Sequence, residues 1–472
     1  MQSDHQDKSP NVILISIDTL RADHLTSYGY FRNTSRNIDA LAKNGLLFEN
    51  AYALCPQTAE SHMSIMTSLS HEVHKIQNWL PDRPVHRLSD ATPTLAEILR
   101  KNGYRTAAFT GGLNVDSAFG FDRGFDYFRD LSWKSRIVNL VLAWIKKNKT
   151  KKFFLFYHSY ALHGPYFPPP SRYNRIYYKN YKGKIPSTRI ELKKITNQKS
   201  LYKNIVRTEW LPYLKSISDL DNNFLDNWQD WSMYYSMIDR NNPDDWKFLQ
   251  AQYDASIKFV DEQLFAKIIK LLKDIKLSDN TLIVFTSDHG EAFNEHNNIM
   301  HKDLYNETLH IPLIISWSKK LPRNRRITEL VRTIDIMPTI LDILNIKITF
   351  PIQGRSLLPL VNGEHLNLEA FTSHYYPNNK IQYRGIRDNN FSYINSTNSD
   401  YSTNELYDRK KDPREEKNLF LGKTDSSQIE SFVKRINKNI ELNESFFPSL
   451  KNTPVMPNAE ILKNLKSLGY TQ

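Results

Sequence analysis

Six residues with hydroxyl, carboxylate or imidazole side chains follow short apolar runs that are typical of buried strands. They are Asp18, Thr110, His158, His163, Asp288 and His289. In an open α/β sheet the carboxyl ends of parallel strands share one edge, and ligands bind along that edge. Taken singly, an Asp after a strand is often just a helix cap, so the inference rests on the common position of the six residues. Two carboxylates and an imidazole are suitable ligands for a divalent metal ion. The pattern therefore predicts a metal site at the sheet edge.

The segment Ala51–Leu69 offers a candidate nucleophile. Met63, Met66 and Leu69 recur at three-residue spacing, which predicts a helix with Thr58 at its N-terminus. Free backbone N–H groups and the positive end of the helix dipole favour an anion there. A hydroxyl in that position is either a helix cap or a nucleophile, and the spacing leaves both open. A Thr hydroxyl bound to a metal ion would lose its proton more easily and could attack a phosphorus or sulfur centre.

Strand and helix patterns alternate along most of the chain and would position these groups. Apolar runs predict strands, and helical periods follow several of them. The predicted strands are 11–17, 46–51, 104–109, 153–157, 281–286 and 311–317, and the clearest predicted helices are 94–102, 250–272 and 331–344. This alternation predicts an α/β sandwich around a mostly parallel sheet.

The chain divides into two predicted units. Residues 11–362 would form the catalytic domain, interrupted at 171–245 by an insertion rich in Lys, Tyr, Trp and Asn without a clear period. From residue 363 to residue 472, short half-polar runs such as Ala370–Ser373 and Phe391–Tyr393 predict a smaller α+β subdomain with an antiparallel sheet.

The composition is that of a globular protein, with 40% hydrophobic and 24% charged residues. Lys and Arg exceed Asp and Glu by 63 to 51, and the formal charge of +12 suits an anionic substrate. The basic residues are spread along the chain without a nucleic-acid-binding signature, so we expect no nucleic-acid partner. The single cysteine, Cys55, excludes an internal disulfide. No signal peptide and no transmembrane segment are recognisable, which predicts a cytoplasmic protein, or an extracytoplasmic one if a leader was removed.

Ordered motifs give nearly the whole chain a resemblance to the sulfatase family of the alkaline phosphatase superfamily. They are ISIDTLRADHLTSYGY at 15–30, FENAYA at 48–53, LAEILRKNGYRTAAFTGG at 95–112, FGFDRGFDYF at 119–128, HGPYFPP at 163–169, YDASIKFVDEQL at 253–264, NTLIVFTSDHGEAF at 280–293, GRSLLPL at 354–360 and ELYDRKKDPREEKNL at 405–419. The resemblance implies an alkaline phosphatase-like sandwich. A large, mostly parallel central sheet would be flanked by helices, with a smaller antiparallel subdomain at the C-terminus.

The resemblance also implies the metal ligands, which match Asp18, Thr19, Asp288 and His289. Thr19 stands in place of the second of the paired Asp ligands of the family. Two-metal members of the superfamily carry an Asp where this chain has Ser159, so we expect one divalent ion: Ca, Mn, Zn or Mg.

The nucleophile position departs from the family pattern. Sulfatases convert a cysteine or serine within Cys-x-Pro-Ser-Arg to formylglycine. Here Ser61-His62 matches the Ser-Arg pair, which places the nucleophile at Thr58 and Glu60 at the proline position. Thr cannot give the aldehyde, and Cys55 lacks the Arg that the motif requires. Thr58 with an Asp-His metal pair is similar to the phosphoester-processing branches of the superfamily.

Further residues complete the catalytic set that the resemblance implies. His163 matches a substrate-contacting histidine, and His301 and Lys302 fall where the family has a basic residue, with spacing that favours His301. Such side chains hold the anionic oxygens of the ester or protonate the leaving group. With Thr58 and His62 they form the predicted catalytic residues. Two family glycines are also replaced, by Ser68 and Lys75.

These observations predict an enzyme, a metal-dependent hydrolase of sulfate or phosphate (di)esters that works through a covalent Thr58 intermediate. Its substrate would be an anionic ester on a carbohydrate or a lipid. One alternative is a transferase that passes the phospho-group to a sugar or lipid hydroxyl. Another is a non-catalytic family member that binds an anionic glycan.

Overall fold

A mostly parallel sheet forms the centre of the molecule. The computed structural model describes residues 9–78, 85–130, 137–167, 172–196, 233–376, 381–398, 402–422, 426–446 and 452–455. The sheet strands are β1 (Asn11–Ile17), β2 (Leu46–Tyr52), β3 (Arg105–Thr110), β4 (Tyr127–Asp130), β5 (Phe153–Ser159), β6 (Thr281–Thr286), β7 (His310–Ser316) and β8 (Arg325–Arg332). Their order across the sheet is β8-β2-β7-β6-β1-β5-β3-β4, and only β7 runs antiparallel to its neighbours.

The central strand β1 is buried on both faces. Val12 and Leu14 pack into the apolar cluster on one side of the sheet, and Ile13 and Ile15 pack into the cluster on the other. Because both faces are covered, the strand has no polar face, which explains its continuous apolar sequence. β1 pairs in parallel with β5 and with β6, so the carboxyl ends of these three strands lie side by side.

Helices pack on both faces of the central sheet and on a smaller second sheet. They are α1 (Arg36–Lys43), α2 (Thr58–Thr67), α3 (His71–His74), α4 (Leu95–Lys101), α5 (Ile137–Asn148), α6 (Arg189–Thr196), α7 (Pro243–Phe259), α8 (Ala266–Asp274), α9 (Asn306–Leu309), α10 (Ile336–Ile343), α11 (Leu358–Val361) and α12 (Ser426–Phe446). A π-helical segment, Val260–Phe265, joins α7 to α8. Short 3-10 turns lie at Ala22–His24, Thr26–Tyr28, Ser117–Phe119, Ser278–Asn280, Glu295–Asn297, Thr333–Asp335 and Leu419–Gly422.

A second, antiparallel sheet lies near the C-terminus. Its strands are β9 (Ala370–Tyr376), β10 (Ile381–Arg387), β11 (Phe391–Thr397) and β12 (Ser402–Asp408), paired in that order. Phe432 of α12 stacks on Tyr393 of β11, with ring centroids 5.5 Å apart. Two-stranded ladders pair Val85–Arg87 with Thr453–Val455 and Ala292–Phe293 with Ile299–Met300. The predicted fold class is therefore confirmed.

Two predicted helix boundaries are wrong. The predicted helix 331–344 begins only at Ile336, because the chain before it forms strand β8 and a tight turn. The Arg332 side chain donates to both carboxylate oxygens of Asp335, at 3.0 and 2.7 Å, and closes that turn. The predicted helix 250–272 begins earlier, at Pro243, which suits the first helical position because its missing N–H needs no partner there.

The proposed domain division stays a prediction. Within the insertion at 171–245, residues 171 and 197–232 lie outside the described part, and the remainder contributes α6 and the start of α7. Across the described ranges, no helix combines the length and hydropathy that crossing a bilayer requires. The cellular location and the absence of a nucleic-acid partner also stay predictions.

Candidate active site

Thr58 is the first residue of α2, as the spacing predicts. The N-cap is Gln57, whose side chain makes no capping hydrogen bond, and the Ala59 N–H donates instead to Asn78 Oδ1 at 2.8 Å. The Thr58 hydroxyl lies 3.3 Å from Asp18 Oδ2 and 3.4 Å from His289 Nε2, and the residue is 2% exposed. Of the two roles left open by the sequence, the cap is therefore excluded, and the hydroxyl faces the predicted metal ligands.

Asp18, Asp288 and His289 come together at the edge formed by β1 and β6. One possible ligand atom from each lies within 4.8 Å of the others, and all three residues are fully buried. Asp18 Oδ1 and Asp288 Oδ2 have no hydrogen-bond partner. His289 Nδ1 donates to the carbonyl of Gly290 at 2.9 Å, which leaves the Nε2 lone pair facing the carboxylates. Buried polar atoms normally have partners, so these orphaned oxygens fit a bound cation.

The electrostatics of this cluster also favour positive charge. Burial raises the pKa of Asp18, because an isolated carboxylate is poorly stabilised away from water. Burial works against a charged His289, yet the carboxylates of Asp288 and Asp18 raise the pKa of this histidine. The two buried carboxylates therefore favour a positive charge beside them, which a proton or a metal ion can supply.

Thr19 lies against the same cluster in a strained conformation. Its backbone has φ 58°, and its N–H donates to Asp288 Oδ1 at 3.2 Å. Its carbonyl accepts a hydrogen bond from the Tyr253 hydroxyl at 2.7 Å. The Thr19 hydroxyl is buried without a partner, which fits the predicted ligand role. A β-branched residue at positive φ is rare and is typical of functional sites.

His62 lies one helical turn after Thr58 in α2 and contacts Ser16 of β1. Its Nδ1 donates to the carbonyl of Thr58 at 2.8 Å, and its Nε2 lies 2.9 Å from the Ser16 hydroxyl. Burial lowers the pKa of His62 to about 3, so the ring is neutral. The ring is fully buried and also lies 3.4 Å from Asp288 Oδ2. The structure thus places His62 in contact with both Thr58 and Asp288.

His158 is a second buried imidazole, which the sequence places at the sheet edge but does not assign to the site. Its Nδ1 accepts a hydrogen bond from the Gly111 N–H at 3.2 Å, so Nε2 carries the proton of the neutral ring. Nε2 lies 3.6 Å from Asp18 Oδ2, and the ring packs edge-on against His62 at 4.6 Å. Burial lowers the pKa of His158 to about 4.

His163 and His301 are two further imidazoles close to the cluster. The rings of His301 and His289 are 4.3 Å apart, and those of His163 and His301 are 5.6 Å apart. His163 Nδ1 donates to the carbonyl of Gly164 at 2.8 Å. Burial, followed by the neighbouring His289 and His163, lowers the pKa of His301 well below its usual value. Half-buried Lys302 follows in the chain, and its charge acts in the same direction.

Glu291 is a buried carboxylate that the sequence analysis does not assign to the site. It is 1% exposed, and its Oε1 lies 3.5 Å from His301 Nδ1. Burial raises the pKa of Glu291 to about 7. Its position two residues after His289, in the motif Asp-His-Gly-Glu, was the available signal. Only the fold, which brings His301 back beside it, reveals the contact.

Comparisons with known proteins show the family of this chain. The sulfatase family model matches residues 10–346, and the model of the C-terminal region of N-sulphoglucosamine sulphohydrolase matches residues 294–443. The chain belongs to the sulfatase family. The predictions of an enzyme and of the sulfuric ester hydrolase class are confirmed. The family is metal-dependent, in agreement with the buried cluster of Asp18, Asp288 and His289.

Individual relatives and solved structures extend the match. The N-acetylglucosamine-6-O-sulfatase of Bacteroides thetaiotaomicron is 26% identical over 477 residues, covering 88% of this chain and 83% of that protein. A structure solved with its substrate D-glucosamine-2-N,6-O-disulfate superposes with a TM-score of 0.71 at 22% identity, over 93% of this chain and 99% of the other. The phosphonate monoester hydrolase of Agrobacterium radiobacter superposes with a TM-score of 0.66 at 19% identity, over 96% of this chain and 98% of the other. These superpositions confirm the fold.

Proposed function

We propose that this sulfatase-family protein hydrolyses sulfate or phosphate esters through a covalent intermediate on Thr58, with one divalent metal ion. The observation that carries the proposal is the Thr58 hydroxyl, which is turned away from capping and lies 3.3 Å from Asp18 and 3.4 Å from His289. A buried hydroxyl beside groups that accept its proton is the arrangement required of an activated nucleophile.

The proposed cation would be held by Asp18, Asp288 and His289, with the Thr19 hydroxyl as a further oxygen ligand. When bound, a divalent cation supplies Lewis acidity, which lowers the pKa of a neighbouring hydroxyl and neutralises the anionic oxygens of the ester. The mixed oxygen and nitrogen donors suit Ca, Mn, Zn and Mg ions.

Each side chain at the site would have a separate role in the reaction. The Thr58 oxygen attacks the sulfur or phosphorus atom and passes its proton to Asp18 Oδ2. The bond from that atom to the leaving oxygen breaks, and His301 or His163 protonates the departing oxygen. Water then attacks the intermediate and releases Thr58, which recovers its proton. His62 keeps the first turn of α2 in place through its hydrogen bond to the Thr58 carbonyl.

We propose a carbohydrate ester as the substrate class. The support is the relative that is named for removing a 6-O-sulfate from N-acetylglucosamine, at 26% identity over most of both chains. The Thr at the nucleophile position and the likeness to a phosphonate monoester hydrolase keep phosphodiesters in the proposal. The transferase alternative uses the same intermediate, and it differs only in the acceptor that releases Thr58.

Replacing Thr58 tests the proposal. Thr58→Ala removes the attacking oxygen, so we expect kcat for 4-nitrophenyl sulfate and bis(4-nitrophenyl) phosphate to fall by about 10³-fold or more. Thr58→Ser retains the hydroxyl and should keep measurable turnover. Intact-mass analysis after rapid quenching should show a sulfate or phosphate adduct on the wild-type chain and none on Thr58→Ala. Unchanged turnover in a folded, metal-loaded Thr58→Ala variant would disprove the mechanism.

A further inference from the structure

Glu291 has the position of a group that orients a catalytic imidazole. The carboxylate is 1% exposed, and its Oε1 lies 3.5 Å from His301 Nδ1. Neither of these two atoms has a hydrogen-bond partner among the described residues, and they lie at ion-pair distance from one another. A buried carboxylate oxygen and a buried ring nitrogen are each costly to leave unpaired, so each is the group with which the other can pair when the contact tightens.

The backbone and side chain of Glu291 are fixed from several directions. Its N–H donates to the carbonyl of Glu307 at 3.0 Å, and its carbonyl accepts from Arg21 Nη1 at 2.9 Å. The Tyr166 hydroxyl is hydrogen-bonded to the Glu291 carboxylate, and it also contacts the hydroxyl of Tyr235. Tyr235 belongs to the insertion predicted at 171–245. The insertion is therefore connected to the active site through Tyr166 and Glu291.

His301 occupies the place where a fixed orientation matters. Its ring lies between the metal-ligand candidate His289, at 4.3 Å, and the substrate-contact candidate His163, at 5.6 Å. The two nitrogens of an imidazole are on different edges of the ring, and the hydrogen bond made by one of them determines the role of the other. With Nδ1 directed at Glu291, Nε2 is the nitrogen left for the ester.

We infer that Glu291 is the positioning residue of His301, holding its ring by Nδ1 so that Nε2 exchanges a proton with the ester oxygen. The inference rests on the proposed Thr58 mechanism. Orientation of a histidine by a buried carboxylate is the logic of hydrolytic triads, here built from a glutamate in the loop after β6 and a histidine before α9.

The proton balance of this step is complete. The Glu291–His301 pair begins with a proton on Nε2 and a second proton between Nδ1 and the Glu291 carboxylate. When the bond from sulfur or phosphorus to the leaving oxygen breaks, Nε2 gives its proton to the leaving oxygen, and the second proton stays on Nδ1 beside ionised Glu291. In the second half-reaction, a proton of the attacking water returns to Nε2, and the remaining hydroxyl forms the new bond to sulfur or phosphorus. The pair therefore regains its starting state in each cycle.

Leaving groups of different acidity test the inference. A phenyl ester needs its departing oxygen protonated, whereas a 4-nitrophenyl ester departs readily as an anion. For Glu291→Gln we expect kcat/KM for phenyl sulfate, or for the matching methyl phenyl phosphodiester, to fall by about 100-fold. The 4-nitrophenyl ester should lose less than about tenfold, with KM nearly unchanged. A general loss of structure would reduce both substrates equally.

Further variants distinguish positioning from scaffolding. His301→Gln should show the same leaving-group pattern, and Glu291→Gln/His301→Gln should be no slower than His301→Gln alone, because both changes remove one function. Glu291→Asp keeps a carboxylate and should recover part of the phenyl ester activity. Glu49→Gln, which alters a carboxylate paired with Arg326 outside the site, is the matched control. Additive losses, or equal losses for both esters, would overturn the inference. Activity surviving in Thr58→Ala would instead refute the proposed function.

Discussion

Thr19 carries strain at the centre of the site. A β-branched residue at φ 58° pays a conformational cost of about 1–2 kcal/mol. Two hydrogen bonds stabilise this backbone conformation: the Thr19 N–H donates to Asp288, and the Tyr253 hydroxyl donates to the Thr19 carbonyl. The Thr19 hydroxyl is buried without a hydrogen-bond partner, so it is an oxygen that the proposed cation could use as a ligand.

Substitutions of Thr19 separate strain from metal binding. Thr19→Gly relieves the backbone but removes the oxygen. We therefore expect the free energy of unfolding of the metal-free protein to rise by about 1 kcal/mol, while affinity for Mn²⁺ or Ca²⁺ falls about tenfold. Thr19→Asn tolerates positive φ and retains an oxygen, so it should keep the affinity. Urea unfolding and calorimetric titration measure the two effects. Equal metal affinity in Thr19→Gly and wild type would exclude the hydroxyl as a ligand.

At the residue scale, sequence reasoning finds the groups that lie at strand ends and misses those that depend on tertiary contacts. Asp18, Asp288 and His289 converge because the carboxyl ends of β1 and β6 are adjacent in a parallel sheet. Glu291 was not assigned, because its contact with His301 depends on a loop that returns to it across the site. His158 illustrates the intermediate case, since its place at the edge is predictable and its contact with Asp18 is not.

At the element scale, the turns around α2 and α3 contain two residues in the left-handed backbone region. Ser68 ends α2 at φ 59°, and Lys75 ends α3 at φ 58°. The family resemblance implies glycine at both positions. Ser68 is fully buried and its hydroxyl donates to the carbonyl of Ile334 at 2.7 Å, whereas Lys75 is exposed. A buried side-chain hydrogen bond therefore offsets the cost of the left-handed backbone at Ser68, whereas the exposed Lys75 side chain does not offset it.

This difference predicts opposite effects of glycine. Lys75→Gly should raise the free energy of unfolding by about 0.5–1 kcal/mol, because relief of the left-handed strain exceeds the added entropy of the unfolded chain. Ser68→Gly should lower it by about 1–3 kcal/mol, because a buried carbonyl loses its donor. Lys75→Ala is the matched control, which shortens the side chain without relieving the backbone. Midpoints of urea unfolding compare the variants, and a shift of the same sign for both glycines would contradict the argument.

The sequence predicts a strand well where all of its residues are buried, and poorly where buried and exposed residues are mixed. Strands such as β1 and β6 are apolar throughout, so their sequences predict them directly. The edge strand β8 has exposed Arg325 and Arg326 and buries only part of its length, so its sequence gives no apolar run. The hydrogen bonds between Arg332 and Asp335 that turn the chain into α10 likewise have no periodic signal.

At the scale of the whole molecule, a buried polar junction ties the central sheet unit to the C-terminal strands. His296 Nδ1 lies 2.8 Å from Glu307 Oε1, and its Nε2 lies 2.8 Å from the carbonyl of Glu415. The Glu415 carboxylate accepts from the Asn306 N–H at 2.8 Å and from the buried guanidinium of Arg387 at 3.2 Å. The junction thus joins the turn that carries His296 and the start of α9 at Asn306 to β10 and to the segment after β12.

The protonation of His296 should make this junction depend on pH. Burial works against the charge, but the hydrogen bond to Glu307 raises the pKa of His296 to about 9. Because this exceeds the ordinary value of about 6.5, the stabilisation is complete below about pH 6.5 and is lost as the pH rises through about 9. The shift corresponds to roughly 3 kcal/mol, which we reduce to about 1–2 kcal/mol because the ring is partly solvated.

The comparison of wild type with His296→Gln isolates this contribution. Gln can reach Glu307 but cannot become charged, so its free energy of unfolding should be lower at pH 6 by about 1–2 kcal/mol and should approach that of wild type near pH 9.5. Groups remote from His296 titrate equally in both proteins and cancel in the difference, whereas Glu307 and Asp303, whose pKa values His296 lowers, contribute together with it. Urea unfolding at pH 6, 7.5, 9 and 9.5 measures it. A difference that stays constant over this range would show that His296 acts through packing on Tyr305, whose ring it stacks at 3.7 Å, rather than through charge.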